Sequence, residues 1–189
     1  MTRSFERRPI EPGLLEHLVD LATWAPSAGK TQGWHLVVLR DDDTQRFWHH
    51  TLPAERRDGF RWQGLFDAPV ILLPFADPDA YIARYREPDK ATSGLGAGVE
   101  AWPAPYWTID ASMAVMTMLL AAEAAGLGAL FFGVFRGEAA LRADLGVPER
   151  LDLLGAIALG WPRGDAAAPG RSATRPRRAP ADVLHDGDW

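Results

Sequence analysis

The residues best able to do chemistry in this chain are arginines gathered at its two ends: Arg3, Arg7 and Arg8 near the start, and Arg171, Arg175, Arg177 and Arg178 near the finish. Guanidinium forks match phosphate oxygens two bonds at a time, so the groups would form a phosphate pocket if the fold brought the ends together, with Ser4 adding a hydroxyl donor. The alternative is two stretches of solvated terminal charge. Other chemistries lack their residues. His17, His35, His49, His50 and His185 fall in no metal-ligand spacing, and no GxSxG turn presents a serine nucleophile. The chain has no cysteine, which excludes disulfides, thiolate metal sites, iron-sulfur clusters and a thiol nucleophile. Redox work would then fall to a bound organic cofactor or another kind of metal site. The GLGAG run at 94–98 lacks the lysine and hydroxyl of a P-loop and misses the dinucleotide spacing, so it reads better as a flexible lid loop.

Such groups need a core to hold them. With 189 residues, 47% hydrophobic and 24% charged, the composition suits one globular domain. Leu14, Leu15, Leu18, Leu21 and Ala22 recur at helical spacing over 12–24, and Pro26 stops that helix. A loop at 27–33 leads to a buried strand at 34–39, a short helix at 43–50 and a second strand at 69–75. Between the last two, 52–64 mixes charge, glycine and tryptophan without a period, which predicts a mobile surface segment. Residues 77–106 carry prolines, glycines and aromatic rings, as a helical insertion with a long loop would. A helix apolar on nearly every face spans 108–125 and needs neighbours all round. A strand at 129–135, a short helix at 142–149, a last strand at 153–160 and a Pro, Gly, Ala and Arg-rich tail from 162 complete the order. The whole is α/β or α+β with a central sheet and no internal repeat.

Charge and length bound the partners. A formal net charge of -5 opposes nucleic-acid binding, and the apolar stretch 111–122 is too short for a bilayer. The start of the chain lacks an apolar stretch of signal-peptide length, so a cytoplasmic location is expected, without a membrane partner.

The segment WAPSAGKTQGW at 24–34 resembles the helix-end loop, of the form APSxxNxQPW, of the FMN-dependent nitroreductase family. Three further pieces resemble that family in the same order. Arg3-Ser4 is similar to its N-terminal phosphate contact, YWTIDASMAVMTMLLAAEAAGLGALFFGVF to its central dimer helix and flavin-facing strand, and RPRRAPADVLH to its basic C-terminal segment. The resemblance implies an α+β nitroreductase-like fold (an α/β sandwich), with a mixed or antiparallel sheet surrounded by helices in an intertwined homodimer. It implies one FMN-binding domain over 1–189, with 77–107 a lid-like insertion and 162–189 an extended arm.

It also implies roles. Arg3, Ser4, Arg175 and Arg177 would hold the FMN phosphate, with Arg178 the alternative to Arg177. Pro26, Ser27 and Ala28, delivered in part by the second subunit, would lie along the flavin ring, with Gln32 at its polar edge. In the Phe131-Phe132-Gly133-Val134 segment the Gly133 amide would sit beside flavin N5 and O4, with Phe132 adjoining; core packing is the competing role for the two phenylalanines. Arg61 or Gln63 would meet the pyrimidine edge. Trp102, Tyr106 and Trp107 would wall the place of a flat acceptor, or serve as packing anchors. Three positions depart from the family pattern: Glu6 at a usual basic residue, Lys30 at the usual asparagine and Gly33 at the usual proline. The expected activity is ping-pong transfer of two electrons from NADH or NADPH to a nitroaromatic, quinone or similar acceptor. A flavin-sequestering protein, a dehalogenase and a flavin-cleaving enzyme are the alternatives.

Overall fold

The computed structural model describes residues 1–164, 170 and 172–187. Arg171, one of the C-terminal arginines, lies outside them. Helix α1 (Pro12–Thr23) begins with proline, whose missing N–H falls where no intrahelical bond is made, and buries Leu15, Leu18 and Ala22 along one side. Five strands follow in the chain: β1 (Trp34–Arg40), β2 (Val70–Ala76), β3 (Gly128–Phe132), β4 (Asp152–Leu153) and β5 (Ala156–Gly160). They form one sheet in the spatial order β1-β2-β5-β3, with β4 extending the pairing along β2. All neighbours are antiparallel, with Val38 opposite Leu72, Leu72 opposite Ile157, and Ile157 opposite Phe131.

Strand β2 is buried at every residue, and its alternation divides the core in two. Val70 and Leu72 face α1 and α4 (Tyr106–Ala124), together with Leu18, Ala114 and Met118. Ile71, Leu73 and Phe75 face the other way, toward Phe47 and Trp48 of α2 (Thr44–Thr51) and Leu141 of α5 (Glu138–Leu145). The sheet is thus covered on both sides, as the α+β expectation requires, and it is antiparallel throughout.

Three local expectations change. The single strand expected at 153–160 breaks at Gly155, where φ is +143° and a Cβ would stand 2.7 Å from the Phe132 carbonyl oxygen. Strand β3 ends at Phe132, short of the expected 135, because its partner β5 starts at Ala156 opposite Phe132 and offers nothing beyond. The helix expected at 142–149 is α5, four residues earlier, bounded by Gly137 and Gly146 in left-handed conformations. Residues 52–64 do lie at the surface, none of them buried. Phe60 and Phe66 pack against the Trp48 ring, and the Gln63 amide donates to the carbonyls of Arg57, Asp58 and Phe60.

Helix α3 (Pro78–Tyr85) opens the insertion at 77–107, capped by Asp77, whose carboxylate accepts from the N–H groups of Asp79 and Ala80. The GLGAG run lies against this helix. Arg86 donates to the Gly96 carbonyl at 2.8 Å, and Trp102 Nε1 donates to that of Leu95 at 3.0 Å.

Candidate functional site

A cavity of about 500 Å³ opens beside β3. Its walls are aromatic: Trp48 and Phe132 stack with ring planes 8° apart, Phe60 tilts toward Trp48, and Phe131 and Phe135 border the opening. Gly133 lies on the cavity surface, and the Phe135 ring tip stands 2.7 Å from where its Cβ would be, so no larger residue fits without moving that ring.

The cavity is basic as well as aromatic. Arg3, Arg56 and Arg136 line it, and among the described residues no carboxylate does. Arg3 stands 5.2 Å from the Trp62 ring centre and beside Gly170, so the early arginine and the returning tail do meet. Arg175 and Arg177 are exposed farther along the arm and do not line the cavity. Ser4 is buried, packed against Gly64 at the foot of the 52–64 loop, and does not line the cavity either.

The loop at 26–32 is built separately, around one carboxylate. Asp110 of α4 is 3% exposed, and its Oδ2 accepts from the Ala28 N–H and from the Tyr81 hydroxyl, each at 2.7 Å. Ser27 Oγ accepts from the Gln32 N–H at 2.8 Å and lies 3.4 Å from the Tyr81 oxygen. Burial pushes the Tyr81 phenol well above its ordinary range; the Ser27 hydrogen bond opposes the shift and the Asp110 carboxylate adds to it, so Tyr81 stays protonated. The Gln32 side-chain amide donates to the Thr23 carbonyl at 2.6 Å, turned back onto α1. Arg84 donates to the Gly29 carbonyl at 2.9 Å. Two departures gain physical content. Lys30 adopts φ +53°, a region asparagine enters more readily, and a Cβ on Gly33 would stand 2.7 Å from Tyr81 Cε2, leaving no room for proline.

Neither Pro26, Ser27, Ala28 nor Gln32 lines the cavity of its own chain, and nor do Trp102, Tyr106 and Trp107. Trp102 is a packing anchor at 8% exposure, with its ring centre 4.6 Å from that of Tyr85. Trp107 is half-buried in the same aromatic cluster, whereas Tyr106 is 37% exposed at the start of α4.

Several residues of these two sites carried little sequence signal. Trp48, Phe60, Arg56 and Arg136 follow no motif. Asp110 had one: a single carboxylate in the middle of an apolar run must find hydrogen-bond donors when buried.

A flat heteroaromatic group with an anionic tail, such as FMN, fits the cavity. Arg3 offers a guanidinium for a phosphate, the rings offer apolar walls, and Gly133 leaves its backbone open at the surface. Among the described residues, no group of three histidine, cysteine or acidic side chains could hold a metal ion, and no helix is long and apolar enough to cross a membrane.

The family model described as the nitroreductase family matches residues 1–161. An NADH dehydrogenase of Thermus thermophilus is 31% identical, with the match covering 85% of this chain and 81% of that protein. A 5,6-dimethylbenzimidazole synthase of Rhodospirillum rubrum is 29% identical over 88% of this chain and 80% of its own length. A nitroreductase of Lactococcus lactis, solved in complex with nicotinic acid, superposes with a TM-score of 0.74 at 15% identity, covering 100% of this chain and 95% of that one, and so shares the fold. The chain belongs to the nitroreductase family of oxidoreductases.

Proposed function

We propose that the chain binds FMN as a homodimer and passes two electrons, in ping-pong fashion, from NADH or NADPH to a small flat acceptor such as a nitroaromatic or quinone. The observation that carries this reading is the cavity beside β3: stacked aromatic walls, three arginines, no carboxylate among the described residues and an exposed glycine backbone. Bound FMN would accept hydride from the nicotinamide and pass it to the acceptor. The chain's own part is to hold, orient and cover. Arg3 holds the phosphate, and Arg175 and Arg177 add to it in the dimer, with Ser4 fixing the backbone on which Arg3 stands. Gly133 and Phe132 support the ring from one side.

The second copy completes the site. Pro26, Ser27, Ala28 and Gln32 sit away from the cavity of their own chain, so they reach a flavin ring only as parts of a partner's site. The exposed side of α4 supports the same conclusion, since Ile109, Met116 and Leu120 are 40%, 50% and 59% exposed there. The insertion at 77–107, tied to the Ser27 loop through Tyr81 and Arg84, acts as a lid on the partner's cavity, with Tyr106 rather than the buried Trp102 meeting the acceptor. The single domain works in the cytoplasm, in keeping with a chain free of cysteine.

The test is an anaerobic absorbance titration of FMN-reconstituted protein with NADH and NADPH. Bleaching of the oxidised-flavin band by either is the expected result and identifies the donor. Bound FMN that neither bleaches would turn the reading toward sequestration, and failure to bind FMN would end it.

A further inference from the structure

The charge around the cavity runs against that of the molecule. The chain has 25 acidic and 20 basic residues, yet among the described residues the cavity is lined by Arg3, Arg56 and Arg136 and by no acidic side chain. Several arginines elsewhere do lie against carboxylates, as Arg7 and Arg163 do on Asp67, Arg84 on Asp89, and Arg142 on Glu138. Among the described residues, none of the three cavity arginines is within ion-pair distance of a carboxylate. A basic, partly enclosed, apolar-walled cavity concentrates anions, because its walls focus the field of charges that nothing neutralises.

Arg3 and Arg136 stand at opposite ends of β3. Arg3 is beside the start of β3, where the Thr2 N–H donates to the Ala129 carbonyl. Arg136 is beyond the finish of β3, where Gly137 packs directly on the His50 carbonyl near the close of α2, and Arg56 follows in the turn after α2. From Ala129 to Phe132 the strand rises about 10 Å, and the turn at 133–135 adds to that. One anion cannot answer both ends.

We propose that Arg56 and Arg136 form a second anion-binding end of the cavity, and that the acceptor is a flat aromatic compound bearing a carboxylate. This rests on the FMN reading, in which the Arg3 end is taken by the cofactor phosphate. The acceptor ring lies over the open face of the flavin, at the mouth of the cavity, with its carboxylate toward Arg136 and Arg56. For a nitro compound the overall step is ArNO₂ + NAD(P)H + H⁺ → ArNO + NAD(P)⁺ + H₂O: the nitro nitrogen gains two electrons, and one oxygen leaves as water. The arginines take no part in that exchange and only select the acceptor's charge.

The experiment compares 4-nitrobenzoate with neutral 4-nitrobenzyl alcohol on the FMN-reconstituted protein, wild type against Arg56→Gln, Arg136→Gln and the double variant. Each variant's FMN dissociation constant is measured by fluorescence. The ratio of kcat/KM for the charged over the neutral acceptor is expected to fall about tenfold in the double variant, equivalent to ~1.4 kcal/mol of selective binding. Added salt should raise KM for 4-nitrobenzoate alone in the wild type. A binding arm without turnover titrates benzoate and benzyl alcohol into the oxidised holoprotein by calorimetry, and benzoate is expected to bind more tightly by a margin the double variant loses. An unchanged ratio with FMN bound and reducible overturns the proposal alone, whereas failure to take up FMN overturns the flavin reading on which it rests. A loss confined to KM for NADPH and absent for NADH would assign the two arginines to the donor's phosphate and overturn the acceptor assignment. A fall in melting temperature without any change of selectivity would show that they only answer the negative end of α2, which also overturns it.

Discussion

Asp110 holds three pieces of the chain with one oxygen: its own helix α4, the loop through Ala28, and the insertion through Tyr81. Replacing it by asparagine keeps the shape but removes the charge from two hydrogen bonds. Asp110→Asn is therefore expected to destabilise the fold by about 1–3 kcal/mol in urea titrations, with faster amide exchange at Ala28. Tyr81→Phe, which removes one donor and leaves the other, should cost about 1 kcal/mol. At Lys30 the expected sign is reversed. Asparagine enters the left-handed region with less strain, so Lys30→Asn should stabilise by ~0.5–1 kcal/mol, read as a rise in melting temperature. Single residues were legible in the sequence where a motif marked them. Arg3 and Gly133 were found that way, and both reach the cavity. Gln32 was also marked, but its side chain is tied to Thr23, which no spacing rule could foresee.

Among the elements, α4 carries most of the consequence. Tyr106, Ile109, Met113, Met116 and Leu120 fall at spacings of three and four residues, a stripe along one face, and only Met113 among them is half-buried. A dimer through this stripe predicts that Met116→Lys with Leu120→Glu gives a monomer in sedimentation at micromolar concentration. FMN affinity should fall in parallel, since each site would lose the partner's loop; a stable dimer in that variant would contradict the model. Strands β1 and β2 and helices α1 and α4 were readable because burial writes a continuous pattern. The rest depended on contacts between distant residues. The break between β4 and β5 is set by the approach of Gly155 to the Phe132 carbonyl, and Phe60 of the 52–64 segment tilts onto Trp48, a contact that no local period marks.

For the whole molecule, Asp67 is the fastening. Its carboxylate takes Arg7 Nε and Arg163 Nη2, each at 2.7 Å, joining the N-terminal segment, the entry to β2 and the end of the sheet. Burial raises its pKa, but the two arginine hydrogen bonds outweigh burial and hold it below the ordinary carboxylate value. A depressed folded-state pKa gives stability that is present above the unfolded value of about 3.9 and lost as pH falls through the folded one. Wild type and Asp67→Asn should therefore differ at neutral pH, by ~0.5–1 kcal/mol given the exposure of Arg7, and converge in strong acid. Thermal melts across pH would show the convergence or its absence.

The strand order also sets a timetable for synthesis. Strand β2, apolar along its whole length, pairs on one side with β1, which precedes it, and on the other with β5, which is made some eighty residues later. A growing chain thus carries a half-paired apolar strand until Gly160 has left the ribosome. Until then that unpaired edge is open to pairing with other chains, the hazard of a sheet closed by segments distant in the chain.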